Sequence, residues 1–239
     1  MSSKLYFNKI CVYCGGKSVT GDHVVARTFF PDSMREGIPK VPACAACNGE
    51  KSKLEHYLAT VLPIAGQHPV AKGIEIETVE KRLERNDALR RELDSGYQRF
   101  REYAPPETYI STFRYDDLAR YTALLARGLL FHHFRIVLSD DHISLGRVLP
   151  THQSYSFDAL YQDEDVANQI TIVSNTIACG AFAYRGFAVN GDLYTSIWYI
   201  RMYGGLMLGS SGSGVPSSPE LWDLTAKTCL KELASTSLE

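Results

Sequence analysis

The spacing of apolar residues predicts two helices in the middle of the chain. From Glu75 to Tyr103 the sequence is dense in Glu, Arg and Leu, and its apolar positions fall near one helical face. Pro105-Pro106 is expected to end this helix. The segment from Tyr115 to about Phe134 is mostly apolar, which predicts a second helix that is buried.

The pattern changes to strand spacing in the second half. Residues 170–173, 181–189 and 193–207 are rich in β-branched and aromatic residues, and Gly204-Gly205 indicates a bend or a hairpin. We expect the aromatic residues of 193–207 to pack in the core rather than to stack on bases. Ser210 to Ser218 is typical of a flexible turn, and Ser218-Pro219 predicts the start of a last helix.

The first 60 residues instead consist of short elements separated by Gly, Pro and Cys. Val19 to Ala26 is interpreted as a hairpin or ribbon, and residues 27–43 as a loop with three prolines. A helix is expected from Cys47 to about Val61, stopped by Pro63. The fold class is α+β, with an N-terminal module at 1–62, a helical connector at 63–135 and an α+β region at 136–239.

Composition and charge exclude little. The chain has 239 residues, of which 45% are hydrophobic and 22% charged, as in ordinary globular proteins. No apolar run reaches the roughly 18 residues that a membrane span needs, and the N-terminus lacks the features of a signal peptide. We therefore expect a cytoplasmic protein. The net charge of −2 counts against a nucleic-acid binder, unless a basic patch or a metal ion acts locally.

Four of the six cysteines form two C-x-x-C pairs, Cys11/Cys14 and Cys44/Cys47, separated by 29 residues. In a reducing compartment two such pairs predict a metal site rather than two disulfides. Four thiolates close a tetrahedral shell around zinc, so the zinc should be structural. Unliganded or redox-active cysteines remain the alternative. Cys179 and Cys229 stand alone and are interpreted as buried packing residues.

The cysteine pairs flank Asp22-His23, and Asn48 follows the last cysteine, with Lys51-Ser52 after it. This order resembles the HNH, or His-Me finger (ββα-metal), endonuclease family, many members of which carry the same two zinc knuckles. The resemblance covers roughly residues 8–60. It implies a ββα-metal module and a phosphodiester hydrolase acting on DNA, in a setting such as bacterial or phage restriction or defence.

The resemblance also implies roles for individual residues. His23 would be the general base, since a neutral imidazole can deprotonate water near pH 7. Asp22 and Asn48 would bind the catalytic Mg²⁺ or Mn²⁺, which prefers oxygen ligands. One departure from the family is plain: its middle asparagine, which holds the hairpin loop and orients the histidine, is replaced by Pro39.

Several residues and properties stay open at this point. The candidate phosphate contacts, which could equally be solvated surface charges, are Arg27, Lys51 and Lys53. His56 is a candidate further metal ligand. For His132-His133 we expect a core or capping role rather than a chemical one. The helix at 75–103 fits a strut, a dimer contact or a DNA-facing element, so a homo-oligomer is possible. The alternative to an endonuclease is an inactive zinc module that binds nucleic acid or protein.

Overall fold

The computed structural model describes residues 3–66, 68–101, 114–138, 143–149, 163–203 and 206–213. Helices and strands are mixed in these ranges, with two antiparallel sheets. The helices are α1 (Ser3–Tyr6), α2 (Ala45–Ala65), α3 (Pro69–Ile74), α4 (Glu80–Glu84), α5 (Asp87–Arg101), α6 (Tyr115–Phe134) and α7 (Glu164–Ala167). The strands are β1 (Thr20–His23), β2 (Lys40–Ala43), β3 (Ile143–Leu149), β4 (Ile170–Ile177), β5 (Phe182–Val189), β6 (Asp192–Met202) and β7 (Leu206–Ser213).

The larger sheet has five antiparallel strands in the order β3-β7-β6-β5-β4. Along β6 the side chains alternate, so that Trp198, Ile200 and Met202 are fully buried while Arg201 between them is exposed. This is the period of two that a half-buried strand requires. The prediction that the aromatic residues of this segment pack in the core holds for Trp198, whereas Tyr194 near the start of β6 is 41% exposed.

Helix α6 lies between the two sheets and joins them. Its buried leucines Leu125 and Leu129 belong to one hydrophobic core with residues of both sheets. Helix α6 also lies close to the residue that follows β1: a Cβ atom at Gly128 would lie 2.9 Å from Val24 Cγ1. The buried helix predicted from Tyr115 to Phe134 is therefore confirmed, and it carries the contacts that hold the N-terminal module to the rest of the chain.

The N-terminal module consists of the ribbon β1-β2 and helix α2. Thr20 pairs with Ala43 and His23 with Lys40, so β2 falls inside the segment predicted to be a loop. Of the hairpin or ribbon predicted at Val19–Ala26, the hairpin is therefore wrong: this segment supplies one strand of a ribbon, and the partner strand comes later in the chain. The sequence does not reveal the pairing because each strand has only four residues.

Helix α2 continues through Pro63 to Ala65 instead of stopping before the proline, and the boundary expected at residue 62 lies inside it. A proline in a helix leaves the carbonyl four residues earlier without its usual donor. That carbonyl belongs to Ala59, and the Arg82 guanidinium donates a hydrogen bond to it at 2.6 Å. A side chain from α4 therefore compensates for the bond that Pro63 removes.

The single helix predicted from Glu75 to Tyr103 is divided into a π-helical turn at Glu75–Val79 followed by α4 and α5. The break lies at Arg85-Asn86, where the Asn86 side chain accepts a hydrogen bond from the Leu89 amide at 3.1 Å. Asparagine competes with helix continuation in this way and favours a cap. The prediction missed this break because the apolar spacing continues across it.

Other predictions concern residues outside the described ranges. The helix expected from Ser218 and the residue Cys229 lie there, as do Pro105-Pro106 and Gly204-Gly205. Part of the flexible turn expected from Ser210 is strand, because β7 extends to Ser213. Across the ranges that the structure does describe, no helix is both long enough and apolar enough to cross a membrane.

Candidate metal centre and adjoining cleft

The four cysteines of the two C-x-x-C pairs converge on one point. The Sγ atoms of Cys11, Cys14, Cys44 and Cys47 all lie within 4.8 Å of one another. Cys14 Sγ and Cys44 Sγ are 3.8 Å apart. A tetrahedral zinc with bonds of about 2.3 Å requires sulfur–sulfur distances of about 3.8 Å, so this donor set fits the ion. The predicted cluster is confirmed as a site that can hold a structural zinc.

Two different backbone elements present these thiolates. In the first pair the Gly15 amide donates to the Cys11 carbonyl at 2.9 Å, and Gly15 has a φ of +72°, which closes the turn. In the second pair Cys44 is the N-cap of α2, and its sulfur accepts a hydrogen bond from the Cys47 amide at 3.4 Å. This bond is the main cause that lowers the pKa of Cys44 to about 7. The metal site therefore fixes the start of α2.

Cys179 does not behave as predicted. It is exposed, in a short 3₁₀ turn between β4 and β5, where its φ is +55°. The prediction assumed that a lone cysteine packs as a small apolar residue. A surface turn that follows an edge strand leaves it in solvent instead.

A buried polar network lies directly behind β1. Asp22 is only 8% exposed, and its Oδ2 accepts a hydrogen bond from the Tyr13 hydroxyl at 2.6 Å. The Lys51 ammonium is 3.0 Å from the same oxygen and also pairs with Glu55 Oε1. The Tyr121 hydroxyl, on α6, contacts Glu55 Oε1 at 3.4 Å. Both carboxylates thus share one ammonium, as buried charges require.

One oxygen of Asp22 has no such partner. Both of its polar contacts are made through Oδ2, and within the described residues no donor contacts Oδ1. Asp22 lines a cleft of about 160 Å³ between β1 and α2, together with His23 and Glu55. A carboxylate oxygen without a partner among the described residues therefore belongs to a residue that lines the cleft.

His23 is half-buried in this cleft, and its ring makes no hydrogen bond within the described residues. Burial is the main cause that lowers its pKa from the usual 6.5 to about 4, and the positive charges of Lys40 and Arg27 add to this effect. The negative charge of Asp22 raises the pKa of His23, but the net effect is still a lowered pKa. The imidazole is therefore uncharged at neutral pH, the form that can accept a proton.

The structure places the remaining candidates differently from one another. Arg27 and His56 are exposed and line the cleft. Lys53 is exposed and paired with Glu50 Oε1 at 2.6 Å. Asn48 is half-buried on α2, one turn before Ser52, and is not among the residues that line the cleft.

Lys51 is fully buried, and its ammonium is committed to Asp22, Glu55 and the His23 carbonyl. A group with no exposed surface and three oxygen partners cannot reach a phosphate in solvent. This placement counts against the phosphate contact considered for it. The other candidates away from the cleft, His132 and His133, pack at the end of α6, where His133 stacks on Trp198.

Pro39 occupies the position where the resemblance expects an asparagine, and its backbone contacts the residue that follows His23. The Pro39 carbonyl accepts a hydrogen bond from the Val24 amide at 2.8 Å. The preceding residue, His23, has its own carbonyl held by the Lys51 ammonium at 2.7 Å. The backbone around the imidazole is therefore held on both sides without an amide side chain.

Four residues near the cleft were not predicted from the sequence: Glu55, Tyr13, Lys40 and Tyr121. Lys51 and Glu55 have the i,i+4 spacing of a helical ion pair, which identifies Glu55 in principle. Tyr13 lies between the first two cysteines, so its closeness to the site follows from the knuckle. Lys40 and Tyr121 carry no such signal, because the β1-β2 register and the packing of α6 bring them there.

Comparisons with known proteins add no family assignment: no family model, no curated protein and no solved structure matches this chain.

Proposed function

We propose that this chain is a metal-dependent endonuclease of the HNH type that hydrolyses phosphodiester bonds in DNA. The observation that carries the proposal is an uncharged imidazole and a carboxylate oxygen without a partner in one cleft. His23 supplies the first and Asp22 the second. The order of motifs that resembles this family lies around the same cleft.

The charge of the cleft supports a divalent cation. Asp22 and Glu55 carry two negative charges when ionised, and Lys51 compensates one of them. A hard cation such as Mg²⁺ prefers carboxylate and amide oxygens and keeps several waters. Asp22 Oδ1 is the proposed ligand within the cleft. The resemblance assigns a second ligand to the side-chain oxygen of Asn48, which lies one helical turn before the cleft residue Ser52 and outside the cleft lining. When bound, this ion supplies charge stabilisation for the phosphate and for the leaving oxygen.

The residues of the chain then divide the reaction. His23 accepts a proton from water, the water oxygen forms a bond to phosphorus, and the phosphorus–oxygen ester bond breaks. The leaving oxygen takes its proton from solvent. Arg27, exposed at the rim of the cleft, is the proposed phosphate contact, and Lys53 is a second one. The zinc has no part in the chemistry, because four thiolates fill its coordination shell.

The test is cleavage of supercoiled plasmid by purified protein, with and without Mg²⁺ or Mn²⁺. We expect metal-dependent nicking or cutting, and a loss of about 10²- to 10⁴-fold in His23→Ala, the usual contribution of a general base. The matched control is His132→Ala, a half-buried histidine on α6 outside the cleft. Full activity in His23→Ala would refute the mechanism. DNA binding without cleavage by the wild-type protein would favour the alternative, a binding module with an inactive cleft.

A further inference from the structure

We infer that Lys51 is a positioning residue for the catalytic histidine, and that it does the work for which the HNH pattern uses its middle asparagine. This inference rests on the proposed function. The observation is that one ammonium, from helix α2, holds two consecutive residues of strand β1. It donates to the His23 carbonyl at 2.7 Å and lies 3.0 Å from Asp22 Oδ2.

Burial makes these contacts obligatory. Lys51 has no exposed surface, and Glu55 on the next turn of the helix provides its third oxygen. A buried ammonium is stable only where its donors are satisfied. Any rotation of β1 relative to α2 therefore breaks bonds that water cannot replace. This ties the strand that carries the imidazole to the helix that begins at the zinc cluster.

The histidine needs such a tie because its ring has no hydrogen bond of its own within the described residues. Most buried general bases are oriented by a partner on their second nitrogen. Here the orientation of the ring comes from the backbone, which Lys51 holds at the His23 carbonyl and Pro39 holds at the Val24 amide. The side chain of residue 39 is then not required.

A lysine near a nuclease site can instead bind phosphate, and the two roles have different kinetic signatures. Removing a phosphate contact raises KM, and it reduces the slope of log affinity against log salt concentration by about one. A positioning residue lowers kcat and leaves KM and the salt slope unchanged, because it never touches the substrate. Lys53→Met gives the reference signature of an exposed lysine on the same helix.

The experiment therefore measures kcat, KM and salt slope for Lys51→Met, Lys51→Arg, Lys53→Met and the control Lys72→Met. Lys72 is an exposed lysine on α3 paired with Glu75, outside the site. We expect kcat to fall about 30-fold or more in Lys51→Met, with KM within about threefold and an unchanged salt slope. Zinc content and melting temperature show whether each variant is folded.

If Lys51→Met does not fold with zinc bound, Lys51→Arg decides, since it keeps the charge but not the compact three-oxygen geometry. For Lys51→Arg we again expect kcat to fall with KM unchanged, but by a smaller factor than in Lys51→Met. A raised KM with a lower salt slope, or wild-type kcat in a folded variant, would overturn the inference. An inactive wild-type protein would instead refute the proposed function. In that case the attachment of β1 to α2 through Lys51 would be refuted by a structure of Lys51→Met in which β1 has not moved.

Discussion

The titration of His23 directly tests whether the cleft lowers the pKa of this histidine. In an unfolded chain a histidine protonates near pH 6.5, whereas burial, with Lys40 and Arg27 nearby, lowers the pKa of His23 to about 4. This difference corresponds to about 2 to 3 kcal/mol in favour of the neutral ring, the lower figure allowing for its partial exposure.

The sign of the effect on stability follows from the direction of the shift. Between the two pKa values the folded protein binds fewer protons than the unfolded chain. The contribution of His23 to stability is therefore fully present above about pH 6.5 and is lost as the pH falls to about 4. The proton-accepting form also remains dominant throughout that interval.

The assay is NMR of the imidazole Cε1 proton without added divalent metal, assigned by its disappearance in His23→Gln. We expect a midpoint near 4, and a higher midpoint in Lys40→Ala that stays below 6.5 because burial remains. Urea unfolding of wild type and His23→Gln at several pH values measures the stability term, and protonation of the zinc thiolates cancels in that comparison. A wild-type midpoint at or above 6.5 would refute the reasoning.

Four further predictions concern buried contacts, the metal centre and Pro39. Tyr13→Phe removes a buried donor to Asp22 and should cost about 2 kcal/mol in urea unfolding, so a neutral result would mean that the bond is not formed. Gly186→Ala places a Cβ atom against the Trp198 indole and should destabilise by about 1 to 3 kcal/mol, whereas a stabilised variant would show a looser core. Elemental analysis should find about one zinc per chain, lost in Cys47→Ser together with the order of α2, and a zinc-free wild type would contradict the metal centre. Pro39→Asn keeps the carbonyl that accepts from Val24, so stability should fall by no more than about 1 kcal/mol and activity should stay within about threefold. A large gain in activity would show that the amide side chain matters.

The sequence predicted best those features that depend on local spacing. The cysteine pairs required only that two turns meet, and α6 required only an apolar segment without a break. The sequence was a poor guide to features in which one residue compensates for another that is distant along the chain. Helix α2 passes through Pro63 because Arg82 reaches the Ala59 carbonyl, 23 residues away in sequence. The local sequence around Pro63 does not indicate that Arg82 is its partner.

The same distinction applies to the site. Asp22, His23 and Asn48 were identified by their order relative to the cysteines, and the structure brings the first two into one cleft. The burial of Lys51 was not predictable, because it depends on how α2, β1 and α6 pack. A lysine two residues before the exposed Lys53 looks the same in the sequence, yet one has no accessible surface and the other is 74% exposed along its side chain.

The packing of α2 brings the four-cysteine cluster and a buried ion pair together in one small module. The ribbon β1-β2 has four residues in each strand and cannot hold its own register firmly. The four-cysteine cluster, which could hold a structural zinc, lies at the start of α2 beside the ribbon, and Lys51 joins the second turn of the helix to β1. Two attachments about one and a half turns apart fix both the position and the rotation of the helix. On the proposed mechanism, the four-cysteine cluster and the lysine should therefore each be necessary for cleavage, and the effects of removing them should be non-additive.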